Sequence, residues 1–434
     1  KNPTQKRVLV IAYYWPPAGG PGVQRWLKFV KYLPQHGWTP TVVVPKNAAY
    51  PVLAPSLQDD VATDLNVISA PIFEPYEAVL RLLKRKDAER LGSTGNKKSG
   101  SINKLMRWLR GNILLPDPRV LWHRPAIRAC QAAIHNAASN GAPFDLIITT
   151  GPPHSVHMIA LRLKKKFPKI QWIADFRDPW TDIDFYNDLN IGKWANKRHH
   201  QLEKLCLDTA DKIVTVSDNC ALDLERTVNK KVEVITNGYN FPERGNKVNL
   251  DEKFTICHFG SLPFSRNPEV LWECLSILCK ENEEFANDLE VKLYGPSDFS
   301  VVERINFFKL NDKVRRFSIV KHSESIKLQE KAQLLLLVAN NTGNVKGILT
   351  GKFFEYLGAY RPILAIGSKD SDLENAVNST KSGAFIGNNE LDKLKAELLE
   401  FYALYKENKL KSNSRNIDIY SSKHLAKKYC ELIN

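Results

Sequence analysis

Short apolar runs alternate with segments of helical periodicity along nearly the whole chain, and this alternation constrains the fold more than any other feature. Continuous apolar strands joined by helices are typical of parallel sheets that helices cover on both faces. The predicted strands of the first half are residues 8–11, 41–44, 146–150, 170–174, 213–216 and 232–235. Those of the second half are residues 254–259, 289–294, 316–320, 334–339, 363–366 and 384–386. The pattern predicts an α/β protein with two Rossmann-like halves.

The length of 434 residues supports this division, because one hydrophobic core seldom serves so long a chain. We predict an N-terminal domain over residues 1–240 and a C-terminal domain over residues 241–414, with the terminal segment 415–434 packing back on the first. Two such domains facing each other across a cleft would bind ligands at the carboxyl ends of their strands.

The segment YYWPPAGGPGVQRW, residues 13–26, directly follows the first apolar run. Its prolines end the strand, and Gly20 and Gly22 permit positive φ or a close approach to a ligand before a helix begins. The start of a helix is a usual place to hold phosphate. A dinucleotide fingerprint is missing, since Arg25 replaces its third small residue and no acidic residue ends the next strand, which disfavours NAD. A tight turn without a ligand is the alternative.

The net charge of +15 is unevenly distributed. Residues 81–128 contain thirteen Lys or Arg against three acidic residues, and they include the low-complexity stretch 92–101, which is typical of a loop. This excess favours an anionic partner, such as nucleic acid, an anionic membrane face or a phosphorylated lipid. A solvated charged surface without a partner is the alternative.

Two further features bear on the cellular compartment. No apolar run reaches the roughly 18 residues of a membrane span, and the N-terminal segment lacks the apolar region of a signal peptide. Seven cysteines without C-x-x-C pairs fit reduced thiols, and Cys257, Cys274 and Cys279 lie in strand or helix patterns that favour burial. We therefore expect a cytosolic protein.

Charged side chains stand at two predicted helix starts in the second half. Arg266 precedes Asn267 and Pro268, a predicted N-cap and first helical residue, so both its guanidinium and the helix start favour an anion. Further on, Lys352 and Glu355 lie three residues apart on one helical face.

Thr350 is the predicted N-cap of this second helix. A lysine that binds phosphate and a carboxylate that accepts hydrogen bonds from two hydroxyl groups would suit a nucleotide diphosphate and its ribose. An ordinary exposed Lys–Glu pair is the alternative for Lys352 and Glu355.

Over nearly its whole length the chain resembles the retaining glycosyltransferases of the GT-B fold, specifically family 4. The segments that carry this resemblance are PPAGGPGVQRWLKFVKYLPQHGW near the start, TGPPHS at 150–155, ADFRDPW at 174–180, VSDN and ITNGYN within 215–240, FGSLPFSRNPEVL at 259–271 and TGKFFEYLGAYRPILAIG at 350–367. The resemblance implies transfer of a sugar from a UDP- or GDP-linked donor to a glycan or a lipid-linked saccharide, in the synthesis of cell-surface polysaccharide. It implies no cofactor and no essential metal.

The resemblance also implies where the donor binds. It places Arg266 on the diphosphate with Lys352 nearby, and Glu355 on the ribose. The other donor-side residues are Gly20, Gly22, Gly260, Ser261 and Asn340. Two positions depart from the family pattern: Ser261 stands where a basic residue is common, and Gly347 stands where a second Glu often holds the sugar. Residues 340–342 (Asn-Asn-Thr) are the candidate substitutes for that Glu.

Several candidates follow strands of the first half. His154 comes after strand 146–150 and the Gly-Pro-Pro turn, and we predict that it lies in the catalytic centre together with Arg266 and Lys352; a histidine satisfied by backbone is the alternative. Asp175, Arg177 and Asp178 follow strand 170–174 and either contact the acceptor or form an ion-pair network. The D-x-D triplet at 182–184 follows no apolar strand, so we expect no metal there.

The basic segment favours attachment to an anionic membrane face, because an interfacial helix would combine its apolar and basic side chains. The predicted membrane-facing cations are Lys84, Arg85, Lys86, Lys104, Arg107 and Arg110. Packing of the apolar side chains on the N-terminal domain is the alternative. Rival functions are nucleic-acid binding, which the scarcity of interleaved aromatic residues disfavours, and a sugar-nucleotide epimerase or an inactive relative of the same fold.

Overall fold

The structure is a computed structural model that describes residues 6–74, 108, 111–182, 186, 190–241, 248–341 and 346–433. The chain forms two compact units. Unit 1 comprises residues 1–236 and 425–434, and unit 2 comprises residues 237–424. The division therefore falls four residues before the boundary predicted at residue 240.

The sheet of unit 1 has seven parallel strands in the order β3-β2-β1-β4-β5-β6-β7. The strands are β1 (Lys6–Ala12), β2 (Trp38–Lys46), β3 (Asn66–Pro71), β4 (Leu146–Gly151), β5 (Gln171–Phe176), β6 (Lys212–Thr215) and β7 (Val232–Val234). The central strands are buried along almost their whole length, which explains their uninterrupted apolar sequences.

Helices cover both faces of this sheet. The described helices are α1 (Pro21–Tyr32), α2 (His123–Ser139), α3 (Ser155–Lys166), α4 (Lys193–Thr209), α5 (Asp218–Thr227) and the C-terminal α13 (Ser422–Ile433). Tyr429 of α13 packs its ring on Trp26 of α1, with 5.2 Å between the ring centroids. The end of the chain thus completes the core of unit 1 beside the first helix.

Unit 2 repeats the same strand order, β10-β9-β8-β11-β12-β13, again with parallel pairing throughout. Its strands are β8 (Phe254–Phe259), β9 (Leu289–Tyr294), β10 (Val314–Phe317), β11 (Leu334–Val338), β12 (Ile363–Gly367) and β13 (Gly383–Gly387). Its described helices are α6 (Glu269–Glu281), α7 (Glu283–Asp288), α8 (Phe299–Phe307), α9 (His322–Lys331), α10 (Gly351–Gly358), α11 (Asp372–Thr380) and α12 (Leu391–Lys406). The prediction of two Rossmann-like α/β halves is confirmed.

Three details differ from the sequence prediction. Strand β10 spans Val314–Phe317 instead of residues 316–320, and it is mostly exposed at the edge of its sheet. Strand β3 was not predicted, because its sequence NVISAP is short and, at the edge of the sheet, only one of its six residues is buried. Cys257 and Cys274 are buried as predicted, whereas Cys279 is half-buried. No described helix is both long and apolar enough to cross a bilayer.

Candidate functional site

In both sheets the strand order reverses next to the first strand, between β1 and β4 in unit 1 and between β8 and β11 in unit 2. Open α/β sheets bind ligands at the carboxyl ends of the strands that flank such a reversal. Loops that carry predicted site residues begin at these strand ends, with Gly20 after β1, His154 after β4, Gly260 after β8 and Asn340 after β11. We refer to these strand ends as the carboxyl edge of each unit.

The two glycines of the first turn are required for different reasons. Gly20 is the N-cap of α1 and has φ 97° with ψ 169°, a backbone conformation that side chains strongly disfavour. A Cβ at Gly22 would overlap the Nη1 of Arg177. The predicted positive φ is therefore present at Gly20, while Gly22 lets a guanidinium approach the backbone.

Arg177 is held by the turn that follows β4. Its Nε donates to the Gly151 carbonyl at 3.0 Å, and its Nη2 donates to the Pro152 carbonyl. Burial lowers the pKa of Arg177, although Asp178 and Asp175 oppose that shift. Asp178 itself is exposed. The structure thus joins the turns after β1 and β4 through one buried guanidinium.

Asp175 lies in a buried ion pair with Arg25. Nε and Nη2 of Arg25 donate to its two oxygens at 3.1 and 3.0 Å, and the Trp26 indole donates at 2.6 Å. Both charged side chains are fully buried. Because both oxygens of Asp175 are already occupied, the structure favours the ion-pair network over contact with an acceptor for this residue. The partner of Asp175 is Arg25, which occupies the position where a dinucleotide-binding turn has a small residue.

His154 is buried among aromatic side chains at the start of α3. Its ring stacks on Trp180 with centroids 5.2 Å apart and 6° between the planes. Neither ring nitrogen makes a hydrogen bond of normal geometry within the part of the chain described. Burial lowers the pKa of His154 to about 4, with a smaller opposing effect from Asp117. A neutral imidazole carries one hydrogen-bond donor and one acceptor.

In unit 2, Arg266 and Asn340 bridge the reversal of strand order. The Arg266 Nε donates to the Asn340 Oδ1, which joins the loops after β8 and β11. A second link is the backbone hydrogen bond from the Asn341 N–H to the Ser265 carbonyl, at 2.7 Å. Two residues assigned to the donor side are therefore in contact, 74 positions apart in sequence.

The predicted N-cap of the helix that follows Arg266, Asn267, is wrong. The N-cap of α6 is Pro268, and the helix begins at Glu269. Asn267 does not cap it, because its Oδ1 accepts a hydrogen bond of 2.9 Å from the Trp272 indole. Arg266 instead ends a short 3-10 turn, residues 264–266.

The glycine that ends β8 faces the loop after the neighbouring strand. Gly260 has φ 132°, and a Cβ at Gly295 would overlap the Gly260 carbonyl oxygen. Ser261 follows as an exposed residue. The close approach of these two backbones accounts for glycine at both strand ends.

Lys352 and Glu355 lie in the first two turns of α10. The Lys352 Nζ is 2.7 Å from the Glu355 Oε2, and Gln329 of α9 donates to the same oxygen at 3.4 Å. The Lys352 side chain is 31% exposed and that of Glu355 14% exposed, so a ligand can reach both. Thr350 is the N-cap as predicted, but its hydroxyl makes no capping bond. The same helical face therefore presents a cation and a carboxylate, as the spacing predicted.

His258, a buried histidine near the end of β8, was not among the predicted site residues. Its charge environment includes Arg266 and Lys352. The sequence feature that could have indicated His258 is its single imidazole within the apolar run FTICHF, two residues before Gly260.

Some predicted residues lie outside the described part of the chain. They are the six membrane-facing cations Lys84, Arg85, Lys86, Lys104, Arg107 and Arg110, together with Thr342 and the second aspartate of the D-x-D triplet, Asp184. Gly347 is described and offers no side chain to a donor sugar. Among the described residues, no group of three or more His, Cys, Asp or Glu side chains is arranged to hold a metal ion.

Solved structures with a similar fold include sugar-nucleotide enzymes. WaaG, a glycosyltransferase involved in lipopolysaccharide biosynthesis, is 12% identical, with 98% of this chain and 99% of its own covered and a TM-score of 0.51. TarM of S. aureus, solved with fondaparinux, α-GlcNAc-glycerol and UDP, is 11% identical, with 99% and 100% covered and a TM-score of 0.55. A Listeria monocytogenes protein assigned as a UDP-N-acetylglucosamine 2-epimerase is 12% identical, with 99% and 96% covered and a TM-score of 0.52.

No protein-family model matches the sequence, and no curated protein matches it. At these low identities the structural likeness establishes the fold alone. The chain has the α/β fold of GT-B glycosyltransferases, with two parallel sheets and alternating helices.

Proposed function

We propose that the protein is a retaining glycosyltransferase that moves a sugar from a UDP- or GDP-linked donor to a glycan or lipid-linked saccharide, in the synthesis of cell-surface polysaccharide. The contact between Arg266 and Asn340 across the strand-order reversal of unit 2 carries this proposal. The Lys352–Glu355 pair of the same unit adds a second cation and a carboxylate. Support also comes from the fold, which WaaG and the UDP complex of TarM share.

Each residue of unit 2 has a distinct part in the proposal. Arg266 and Lys352 bind the diphosphate and stabilise its charge as it leaves. The Glu355 carboxylate accepts hydrogen bonds from the ribose hydroxyls. Asn340 holds the Arg266 guanidinium and contacts the sugar, while the turn at Gly260 and Ser261 leaves room for the donor.

The proposed reaction needs no protein base. The bond from the anomeric carbon to the diphosphate breaks through an oxocarbenium-like state, and the acceptor oxygen bonds to the same face. The acceptor proton passes to the departing phosphate oxygen. We assign His154 to the catalytic centre, where its neutral ring contacts sugar hydroxyls, and Arg177 and Asp178 to the acceptor side. The Gly20–Gly22 turn adds backbone donors for the diphosphate.

Product analysis tests the proposal against an epimerase, the function assigned to one protein of the same fold. The purified protein is incubated with a panel of UDP- and GDP-sugars, with and without membrane-extracted saccharide acceptors, and products are identified by mass spectrometry. Transfer predicts release of UDP or GDP and a heavier acceptor, with EDTA causing little loss. A new nucleotide-sugar isomer formed without an acceptor would indicate epimerisation, and unchanged donors throughout would contradict both activities.

We further propose that the enzyme works at an anionic membrane face, through the basic segment that contains Lys84–Lys86. Unit 1 carries a compatible surface, a shallow depression of about 460 Å³ whose described lining has five cations and no acidic residue. The cations are Arg124, Arg128, Arg162, Lys165 and Lys166.

Vesicle flotation tests the membrane proposal. Binding to anionic but not neutral vesicles is expected, with a steep loss at high salt because surface charge is screened within about 8–10 Å at physiological ionic strength. Changing Lys84, Arg85, Lys86, Lys104, Arg107 and Arg110 to Gln should abolish vesicle binding and spare nucleotide affinity. Equal vesicle binding by this variant and the wild type would refute the role of the segment.

A further inference from the structure

The imidazole of His258 lies inside the protein at the carboxyl edge of unit 2. It is the fifth residue of β8 and is 4% exposed. Leu293 is its neighbour on β9, so no charged group faces it from that strand. A polar ring at this depth is costly unless its nitrogens are satisfied.

One nitrogen of the ring is satisfied, and its partner fixes the tautomer. Nδ1 lies 3.0 Å from the carbonyl oxygen of Leu336 on β11. A carbonyl oxygen only accepts hydrogen bonds, so Nδ1 carries the hydrogen and the neutral ring leaves a lone pair on Nε2. Within the described residues, Nε2 makes no hydrogen bond of normal geometry.

The ring lies beside the loop that the donor residues form and interacts with the backbone of Ser261. A Cβ at Gly260 would lie 3.9 Å from Nε2, so the absence of a side chain there leaves the nitrogen uncovered on that side. The charges of Arg266, from the loop after β8, and Lys352, from α10, both lower the pKa of the ring. Helix α10 reaches this strand end, because its Tyr356 hydroxyl accepts a hydrogen bond of 3.0 Å from the Phe259 N–H. Glu355 is also on α10 and is paired with Lys352.

These surroundings keep the ring neutral in the empty protein. Burial lowers the pKa of His258 to about 4, and the charges of Arg266 and Lys352 add to that effect. Backbone hydrogen bonds with Leu336 and Ser261 raise the pKa, and the bond with Leu336 outweighs the effect of either cation. The Tyr356 hydroxyl also points to the Leu336 carbonyl, at 3.5 Å. An anion bound between the two cations would reverse their effect on the ring.

We propose that His258 is a proton-dependent ligand of the donor diphosphate: when the anion binds to Arg266 and Lys352, Nε2 takes a proton from solvent and donates it in a hydrogen bond to a phosphate oxygen. Nδ1 keeps its bond to Leu336 throughout. The only bond formed is Nε2–H, at the expense of an O–H bond of hydronium, and one proton is gained per diphosphate bound. This inference rests on the proposed donor site and adds a pH dependence to it.

Nuclear magnetic resonance of histidine-labelled protein measures the proton directly. The His258 signal is assigned by its loss in His258→Asn, whose amide can still donate to the Leu336 carbonyl. In the free protein the ring should stay neutral between pH 8 and pH 6. With saturating UDP, or GDP if that is the nucleotide that binds, it should become charged in the same interval. An unchanged neutral ring in the nucleotide-bound protein overturns the inference and leaves the donor site intact.

Affinity measured against pH gives an independent readout. Relative to His258→Asn, which corrects for titration of the nucleotide itself, the wild type should bind more tightly as pH falls from 8 to 6. Because binding takes up one proton, linkage limits the change in affinity to about tenfold per pH unit. His322→Asn, at an exposed histidine of the same unit, should follow the wild type. Identical slopes for wild type and His258→Asn overturn the inference, whereas absence of UDP and GDP binding at every pH overturns the donor site and the inference with it.

Discussion

The carboxyl edges of the two units share one strand order but differ in how deeply their paired charges are buried. In unit 1, Asp175 and Arg25 are fully buried and neutralise each other. In unit 2, Lys352 keeps 31% of its side chain exposed, and Arg266 is half-buried. Paired charges that are buried stabilise the fold, whereas paired charges that remain accessible can also bind a ligand. We therefore expect substitutions to affect folding in unit 1 and ligand binding in unit 2.

Removing the buried carboxylate of unit 1 should have the largest effect. Asp175→Ala leaves the Arg25 guanidinium buried without its counter-charge, and breaking such a pair costs about 3–5 kcal/mol. Urea unfolding measures the loss. Lys352→Ala, which removes a partly exposed ion pair, should lower stability by less than about 1 kcal/mol and serves as the control. Similar losses for the two variants would remove the distinction between the units.

Removing the bridging guanidinium of unit 2 should act on the reaction instead. Arg266→Ala takes away a cation assigned to the leaving diphosphate, so we expect transition-state stabilisation to fall by roughly 2–4 kcal/mol. The measurement is kcat/KM for sugar transfer, and urea unfolding checks that stability is little changed. Arg124→Gln, which removes an exposed cation from unit 1, should leave kcat/KM for a water-soluble acceptor unchanged. Full activity of Arg266→Ala would contradict its assignment.

Acidification should weaken both units through their buried histidines. The pKa values of His154 and His258 are lowered to about 4 in the folded protein, chiefly by burial. Unfolded histidine titrates near 6.5, so below that pH the unfolded state binds more protons, and stability falls as pH drops towards 4. Protonation of each ring should lower the free energy of unfolding by about 2 kcal/mol between pH 7 and pH 5.

Urea unfolding at the two pH values measures this loss. His154→Phe retains a flat ring against Trp180 and should remove the contribution of His154 alone, because burial also lowers the pKa values of His123, His157 and His199 in unit 1. Replacement of the exposed His322 by Asn is the control. An acid-induced loss of stability that His154→Phe leaves unchanged would contradict the account of this histidine.

The sequence predicted what depends on local patterns. Apolar runs located the strands that helices bury on both faces, and the spacing of Lys352 and Glu355 predicted their contact. Local patterns could not predict partners that are distant in sequence. Arg25 and Asp175 are 150 positions apart, so the choice between an ion pair and an acceptor contact needed the structure.

Two errors have specific physical causes. Asparagine is a common N-cap residue, but the side-chain oxygen of Asn267 accepts a hydrogen bond from the Trp272 indole. Pro268 is therefore the N-cap. His258 was missed because a histidine inside an apolar strand usually belongs to the core. Its surroundings distinguish it, since the Leu336 carbonyl of β11 and the charges of Arg266 and Lys352 act on the ring, and these residues are distant in sequence.

The central claim is that unit 2 binds a nucleoside diphosphate through charges left accessible at its carboxyl edge. Calorimetric titration of UDP, GDP and NAD into the wild type, Lys352→Ala and Arg124→Gln tests it most directly. We predict that UDP or GDP binds and NAD does not, and that Lys352→Ala weakens binding by about 10- to 100-fold, as expected for the loss of a charged hydrogen bond. Arg124→Gln should bind like the wild type. Absence of binding by both nucleotides, or unchanged affinity in Lys352→Ala, would contradict the account.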